Sequence, residues 1–357
     1  MCRVDLPLTP PLQPMLATAV DGIPDSGDML FEPKWDGFRC VVFRSGDEVF
    51  LQSRSGKPLN RYFPEVAASM LEVLPERVVI DGELVVARDE ELDFDALSER
   101  IHPAASRVTM LAETTPATFV AFDLLALGSQ ELLESPTVAR RAALLELPGL
   151  NVTPATTSAE TARQWFTLFE GAGLDGVMGK LADGPYTPGK RSMIKVKHAR
   201  TADVVLAGLR WHKDTEPGTA VGSLLLGVYD DNDLLHHIGV CGSFKAAERR
   251  ELATELAPLI TESDEHPWAN PQQGQRIPGE INRWRGKQAE YVALRPERVL
   301  EIHYTQIEGE APVRLRHNGQ FARWRPDREP LSCRYDQLEA PARYDVASVL
   351  KGEMRAR

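Results

Sequence analysis

Lys34 is preceded by Glu32-Pro33 and followed by Trp35, Asp36, Gly37, Phe38 and Arg39. A lysine at a strand end, just before a tight Asp-Gly turn, points an amine into the floor of a cavity. Such an amine is a nucleophile once its proton is removed. Taken alone, K-x-D-G is a weak pattern, because surface lysines before turns are common. The residues that accompany it give it weight. Ser53-Arg54-Ser55-Gly56-Lys57 follows, and Glu83 interrupts the apolar run Val78–Ala87, where an unpaired carboxylate is costly to bury. Phe122-Asp123 lies in a second apolar run, and Asp175-Gly176-Val177-Met178-Gly179-Lys180 adds an acid and a lysine. Lys195 and Lys197 stand two apart on a predicted strand and therefore face one side. Cations converging on one cavity make sense around a triphosphate, whose oxygens gather charge during transfer.

A second phosphate-like motif carries no such chemistry. Gly184 to Lys190 (GPYTPGK) has the spacing of a phosphate-cradling loop, but Arg191 stands where the magnesium-binding Ser or Thr belongs. Two prolines also remove backbone N–H donors, so the segment reads as a surface loop. His198 and His303 have no partner at metal spacing, and the four cysteines are far apart with no C-x-x-C pair.

The elements that must position these residues can be read from periodicity and turn chemistry. Met29–Trp35 reads as a strand entering the Asp36-Gly37 turn, and Arg39–Phe43 with Val49–Ser53 as a hairpin. Pro64 opens a helix through Leu74, Ser135-Pro136 one to about Leu147, and Ser158 one to about Glu170. Val78–Ala87 and Ala117–Leu125 read as buried strands, with Gly176–Lys180 and Met193–Lys197 as two more. After Arg200 the pattern changes. Val204–Leu209, Ser223–Tyr229, Leu234–Val240, Tyr291–Leu294, Val299–Tyr304 and Val313–Leu315 are β-like, with a helix from Ala246 to Leu259, which suits a small Greek-key barrel. The expected division is 1–200 and 201–357.

Length and charge agree. At 357 residues the chain is expected to form two domains, each with its own core. The net charge of −11 excludes a polyanion binder held by general basicity, so any nucleic-acid site is a local patch. Five arginines against one acid in Val313–Arg328 supply such a patch. No signal-peptide pattern and no long apolar stretch occur, so a cytoplasmic, nucleoid-associated protein without membrane contact is expected.

With these residues in view, the sequence resembles the ATP-dependent DNA ligases of the covalent nucleotidyltransferase superfamily, closest to the short bacterial ligase C type. Six motifs follow in family order: Lys34 to Arg39; Arg54 to Lys57; Asp81-Gly82-Glu83; Phe122 to Leu125; Asp175 to Lys180; and Ile194 to Lys197, with Arg323 to Arg328 (RWRPDR) matching the C-terminal motif. Asp175 stands where most of the superfamily has Glu, and Arg328 where Lys is usual. With 33 residues before Lys34, the large N-terminal DNA-binding domain of bigger relatives is not expected here.

The resemblance implies an α+β fold: an ATP-grasp-like nucleotidyltransferase (adenylation) domain of antiparallel sheets and helices, then a C-terminal OB-fold β-barrel. It implies that Lys34 becomes a lysyl-AMP, that AMP passes to the 5′-phosphate of a DNA nick, and that the 3′-hydroxyl then displaces it. Lys34 is the catalytic residue, its pKa expected to be lowered by Lys195, Lys197 and a metal. Glu32 and Pro33 would supply backbone contacts to adenine, and Phe122 would stack on its face. Glu83 would bind the ribose or a metal, and Asp175 a metal. Arg39 and Arg54 would meet the phosphate or the nick, Lys180, Lys195 and Lys197 the phosphates, and Arg325 and Arg328 the leaving pyrophosphate. ATP and Mg²⁺, with Mn²⁺ as substitute, are the implied cofactors. Nicked duplex DNA, and a repair polymerase, nuclease or clamp, are the implied partners of a monomer. An RNA ligase or capping guanylyltransferase shares the lysine motif, and a non-catalytic OB-fold binder is a reading of another class.

With net charge −11 and only a local basic surface, affinity for nicked duplex should fall steeply as salt rises. Titration at increasing salt measures this, and a flat response from low to physiological salt refutes it.

Overall fold

Alternating apolar side chains build the strands that carry the motifs, and strand order brings distant motifs together. The computed structural model describes residues 6–25, 27–88, 90–213, 215–262, 264–279, 290–309, 312–338 and 344–352. The chain divides into two compact units, Met1–Lys197 with Pro341–Arg357, and His198–Ala340.

The first unit holds β1 (Leu16–Ala19), β2 (Met29–Pro33), β3 (Phe38–Ser45), β4 (Glu48–Ser53), β5 (Arg77–Val85), β6 (Thr118–Leu127), β7 (Val177–Leu181) and β8 (Arg191–Val196). One sheet runs β1-β8-β7-β2; the other runs β4-β3-β5-β6 and ends on the short Asn151–Val152. In β3, β5 and β6 both faces are buried. Val42, Ile80, Leu84 and Leu124 face a core completed by Val66, Met70, Leu97 and Leu144 from the helices, while Val41, Val79 and Leu125 face Met15, Tyr186 and Met193. Side chains covered on both faces explain why these strands read as nearly continuous apolar runs.

Register sets the motifs side by side. Arg39 pairs with Glu83 across β3 and β5, and Glu32 with Met178 across β2 and β7. Just beyond β2 the pairing continues: Lys34 N donates to Gly176 O at 2.8 Å, and Asp175 N donates to Lys34 O at 2.9 Å. Reciprocal backbone bonds therefore fix the nucleophile candidate against an acid far along the chain. Helix starts follow ordinary capping: Pro64 sits in the first turn of Pro64–Val73, and the Ser158 side chain accepts from Thr161 N.

Two further helices, Phe94–Glu99 and Ala105–Thr114, lie in a stretch for which periodicity predicted none; the first is a turn and a half, capped by Asp93. Expected boundaries differ from the structure at the tail. The short helix Val346–Leu350, assigned to the barrel by a division at residue 200, packs in the first unit instead. Tyr344, Val346 and Val349 bury themselves against Val85, Val120, Trp165 and Phe169, and Val346 N donates to Glu90 O at 2.8 Å. Apolar burial decides its place.

The second unit is an antiparallel sheet consistent with an OB fold. Its strands β9 (Arg200–Trp211), β10 (Val221–Tyr229), β11 (Leu235–Cys241), β12 (Val292–Tyr304) and β13 (Gln320–Trp324) run in the order β11-β10-β9-β12-β13, with the helix Ala246–Leu256 beside them. Two strands expected around Pro296 are one. The register steps from Leu206↔Arg298 to Gly208↔Ala293, so 294–297 bulge out and Pro296 costs no ladder bond.

Gly176 lies at φ +122°, and a Cβ there would stand 2.0 Å from Val196 O. Gly176→Ala should therefore destabilise the protein by about 3 kcal/mol and disturb the Lys34 pairing. Denaturant unfolding checks this; an unchanged midpoint refutes it.

Candidate active site

A cavity of about 190 Å³ in the first unit is lined by Glu32, Lys34, Arg39, Arg54, Glu83, Phe122, Lys180 and Lys195. Eight of the residues singled out from sequence thus meet at one place. Asp175 and Lys197 join them through Lys34. Asp175 Oδ2 lies 2.6 Å from Lys34 Nζ and 2.5 Å from Lys197 Nζ. Arg54 is exposed at the cavity's edge.

The charge state of Lys34 is the reverse of that expected. Burial alone would lower its pKa, but Asp175, then Asp36 and Glu83, outweigh burial and hold the ammonium above its ordinary range. The lowered lysine is Lys195, through burial and then the neighbouring charges of Lys197 and Lys34. Burial likewise opposes ionisation of Asp175, yet Lys34 and Lys197 keep its carboxyl below the usual range. Asp175 Oδ1 is buried with no hydrogen-bond partner, which leaves one carboxylate oxygen for a further cation. Glu83 is pushed up to about 7, mainly by burial, with Arg39 and Lys34 opposing the rise.

Lys180, expected to meet phosphate, is already paired in this structure. Its ammonium is buried in the cavity's wall, donating to Phe122 O at 2.7 Å and pairing with Glu32 at 2.9 Å and Asp123 at 3.5 Å. Arg140 clasps Asp123 from the other side at 2.7 and 3.1 Å, and Arg141 reaches Glu32 at 3.5 Å. Each of these charges satisfies another. Glu32 is accordingly more than a backbone contact: its side chain is a buried member of this network. Phe122 has the Arg39 guanidinium 4.6 Å and the Lys180 ammonium 5.1 Å from its ring centroid, a cation on the π-face in each case.

Arg325 and Arg328 lie in the second unit, and both are engaged by carboxylates of that unit. Arg325 Nη1 donates to both oxygens of Asp203, at 2.8 and 3.0 Å, and Nη2 to Asp327 at 2.8 Å. Arg328 Nε is 3.3 Å from Asp203 Oδ2. The sequence assigned no side-chain role to Asp36, Arg140, Arg141 or Asp203. Two adjacent arginines in an otherwise apolar helix were a signal for a buried acidic partner.

Among the described residues no group of three or more His, Cys, Asp or Glu side chains could hold a metal ion, and no helix is long and apolar enough to cross a membrane. Residues 14–197 match the family described as ATP dependent DNA ligase domain, and 217–328 match ATP dependent DNA ligase C terminal region. DNA ligase C of Mycobacterium tuberculosis is 51% identical, over 98% of this chain and 99% of its own. DNA ligase C2 of Mycolicibacterium smegmatis is 52% identical, over 95% and 97%. The multifunctional non-homologous end joining DNA repair protein LigD of M. tuberculosis is 32% identical over 89% of this chain and 39% of its own length. Among solved structures, one of a Lig E DNA ligase aligns with a TM-score of 0.53 at 17% identity, covering 87% of this chain and 99% of that one, a likeness of fold.

Glu83 gives a pH prediction. Its carboxyl is raised in the folded state from 4.5 to about 7, so the folded protein favours the protonated form. The resulting penalty is absent below the unfolded value and grows as pH rises through the interval. Glu83→Gln should therefore gain about 2–3 kcal/mol relative to the parent between pH 4 and 8. Chemical denaturation at both pH values measures it, and a pH-independent difference refutes it.

Proposed function

Since the chain belongs to the ATP-dependent DNA ligases, which join 5′-phosphate to 3′-hydroxyl at nicks in DNA, we propose that Lys34 is its nucleophile and the cavity around it the ATP site. The observation that carries this reading is the Lys34–Asp175–Lys197 cluster opening on a cavity with an aromatic wall. Lys34 Nζ, once deprotonated, attacks the α-phosphorus of ATP; the N–P bond forms and the bond to pyrophosphate breaks. AMP then passes to the 5′-phosphate of the nick, and the 3′-hydroxyl displaces it with formation of a phosphodiester.

Lys34 must first lose a proton that Asp175 holds in place. Asp175 with its unpartnered Oδ1, and Glu83, are the residues that would hold Mg²⁺ or Mn²⁺. The metal would supply charge neutralisation at the phosphoryl oxygens. Were its charge so shared, Asp175 would grip the Lys34 ammonium less strongly, and burial would favour the free amine, its proton passing to solvent. Lys195 and Lys197 face the phosphates, and Arg54 the nick. Phe122 stacks on adenine, Glu32 and Lys180 form the wall behind it, and Arg325 and Arg328 serve the pyrophosphate by exchanging Asp203 for it. We place the enzyme in DNA repair, as a monomer at the nucleoid in the cytoplasm, working beside a polymerase, nuclease or clamp. Support comes from its likeness to ligase C and to the ligase part of a repair protein.

Lys34→Ala should abolish labelling by α-labelled ATP and sealing of a plain nick, yet retain some sealing of a nick already carrying 5′-AMP. Labelled mutant protein would overturn the choice of lysine, and parent protein labelled by GTP alone would overturn ATP as donor.

A further inference from the structure

The loop joining β7 to β8, set aside above as a surface loop, carries a residue with no assigned role. Tyr186 is 1% exposed, in contact with Met15, Val79 and Leu125 rather than with solvent. Its hydroxyl donates to Asp81 Oδ2 at 2.6 Å and accepts the Met15 amide at 3.0 Å. Asp81 is fully buried and also receives Arg39 Nε on Oδ1 at 2.6 Å and Nη2 on Oδ2 at 2.5 Å. Arg39 Nη2 closes a ring by donating to Met15 O at 3.3 Å.

These bonds occupy one edge of the Arg39 guanidinium and leave Nη1 as its one nitrogen without a bond to the described residues. The side chain lines the cavity beside Phe122. A carboxylate torsion is broad and nearly two-fold, and the two bonds from Arg39 leave the pair free to turn together, so Asp81 needs a donor from another element to fix its plane and with it the Arg39 plane. Tyr186 supplies that donor. The loop is also anchored to the segment that holds Met15, since Leu16 N donates to Lys190 O at 2.8 Å.

We propose that Tyr186 is a positioning residue for ATP capture: acting through Asp81, it sets the Arg39 guanidinium so that Nη1 meets the incoming nucleotide. The inference rests on the reading of Arg39 as a nucleotide contact. Tyr186→Phe keeps the ring and removes one donor, so the cost falls on orientation rather than on packing.

The test is single-turnover lysyl-AMP formation against ATP concentration for the parent, Tyr186→Phe, Arg39→Ala and the double variant, with thermal melts alongside. Tyr186→Phe should raise the half-saturating ATP concentration about tenfold at a nearly unchanged maximal rate. It should have little further effect once Arg39 is gone. A merely structural tyrosine would lower the melting temperature and the active fraction without moving half-saturation. Unchanged half-saturation in Tyr186→Phe, or effects of the two substitutions that multiply, would overturn the positioning role. Unchanged half-saturation in Arg39→Ala would overturn the reading of Arg39 beneath it, and the proposal with it.

Discussion

One carboxylate oxygen between two ammonium groups organises the first unit. Asp175 Oδ2 holds Lys34 Nζ and Lys197 Nζ within 2.6 Å, at a position only 2% exposed. The carboxylate is buried while the Lys34 and Lys197 side chains keep 19% and 33% exposure, so the acid has its charge answered from the cavity side by two cations. Side-chain chemistry alone does not bring them together. The backbone bonds between Lys34 and residues 175 and 176 do. With the two main chains joined, the aspartate side chain already reaches the amine.

The same rule governs the wall behind the cavity. Glu32, Asp123, Lys180, Arg140 and Arg141 form an alternating chain of acids and bases, the first four almost wholly buried. Such a network adds little stability relative to apolar packing, but it admits few arrangements. Phe122 is held by it, because its carbonyl accepts from Lys180 and its ring carries the Lys180 and Arg39 cations. The ring is thus held in place by its own carbonyl and by the cations on its π-face before any ligand arrives.

Much of the site was legible because its chemistry is written in residue types that strands seldom tolerate. Glu83 inside an apolar run, and lysines two apart on a strand, point to one cavity, and the structure gathers them there. The sign of the Lys34 shift was not legible. It depends on whether the nearest charge is Asp175 or Lys195, and strand register decides that across a long separation. The burial of Lys180 was not legible for a related reason: alternation says which face a strand residue shares, but not how deep that face lies. The helices between Phe94 and Thr114 are short, and their starts lack a strong periodic face. Tyr186 was hidden by composition, since a Gly- and Pro-rich segment looks solvated even when its aromatic residue turns inward.

Several of the cations singled out from sequence are stored against carboxylates rather than displayed. Lys34 has Asp175, Arg39 has Asp81, and Arg325 has Asp203 and Asp327. In a chain of net charge −11 this arrangement has a consequence for binding a polyphosphate. A free buried cation would pay for its desolvation at every moment without ligand, whereas a paired one has already met that cost. A phosphate that arrives need only replace one anion by another. The exchange is close to balanced, so small differences in charge and distance suffice to drive it in either direction. An enzyme that must take up a triphosphate, release pyrophosphate and finally release AMP has to let go of each anion in turn. Carboxylates waiting beside the same cations give each departing phosphate a replacement, and turnover depends on release as much as on capture.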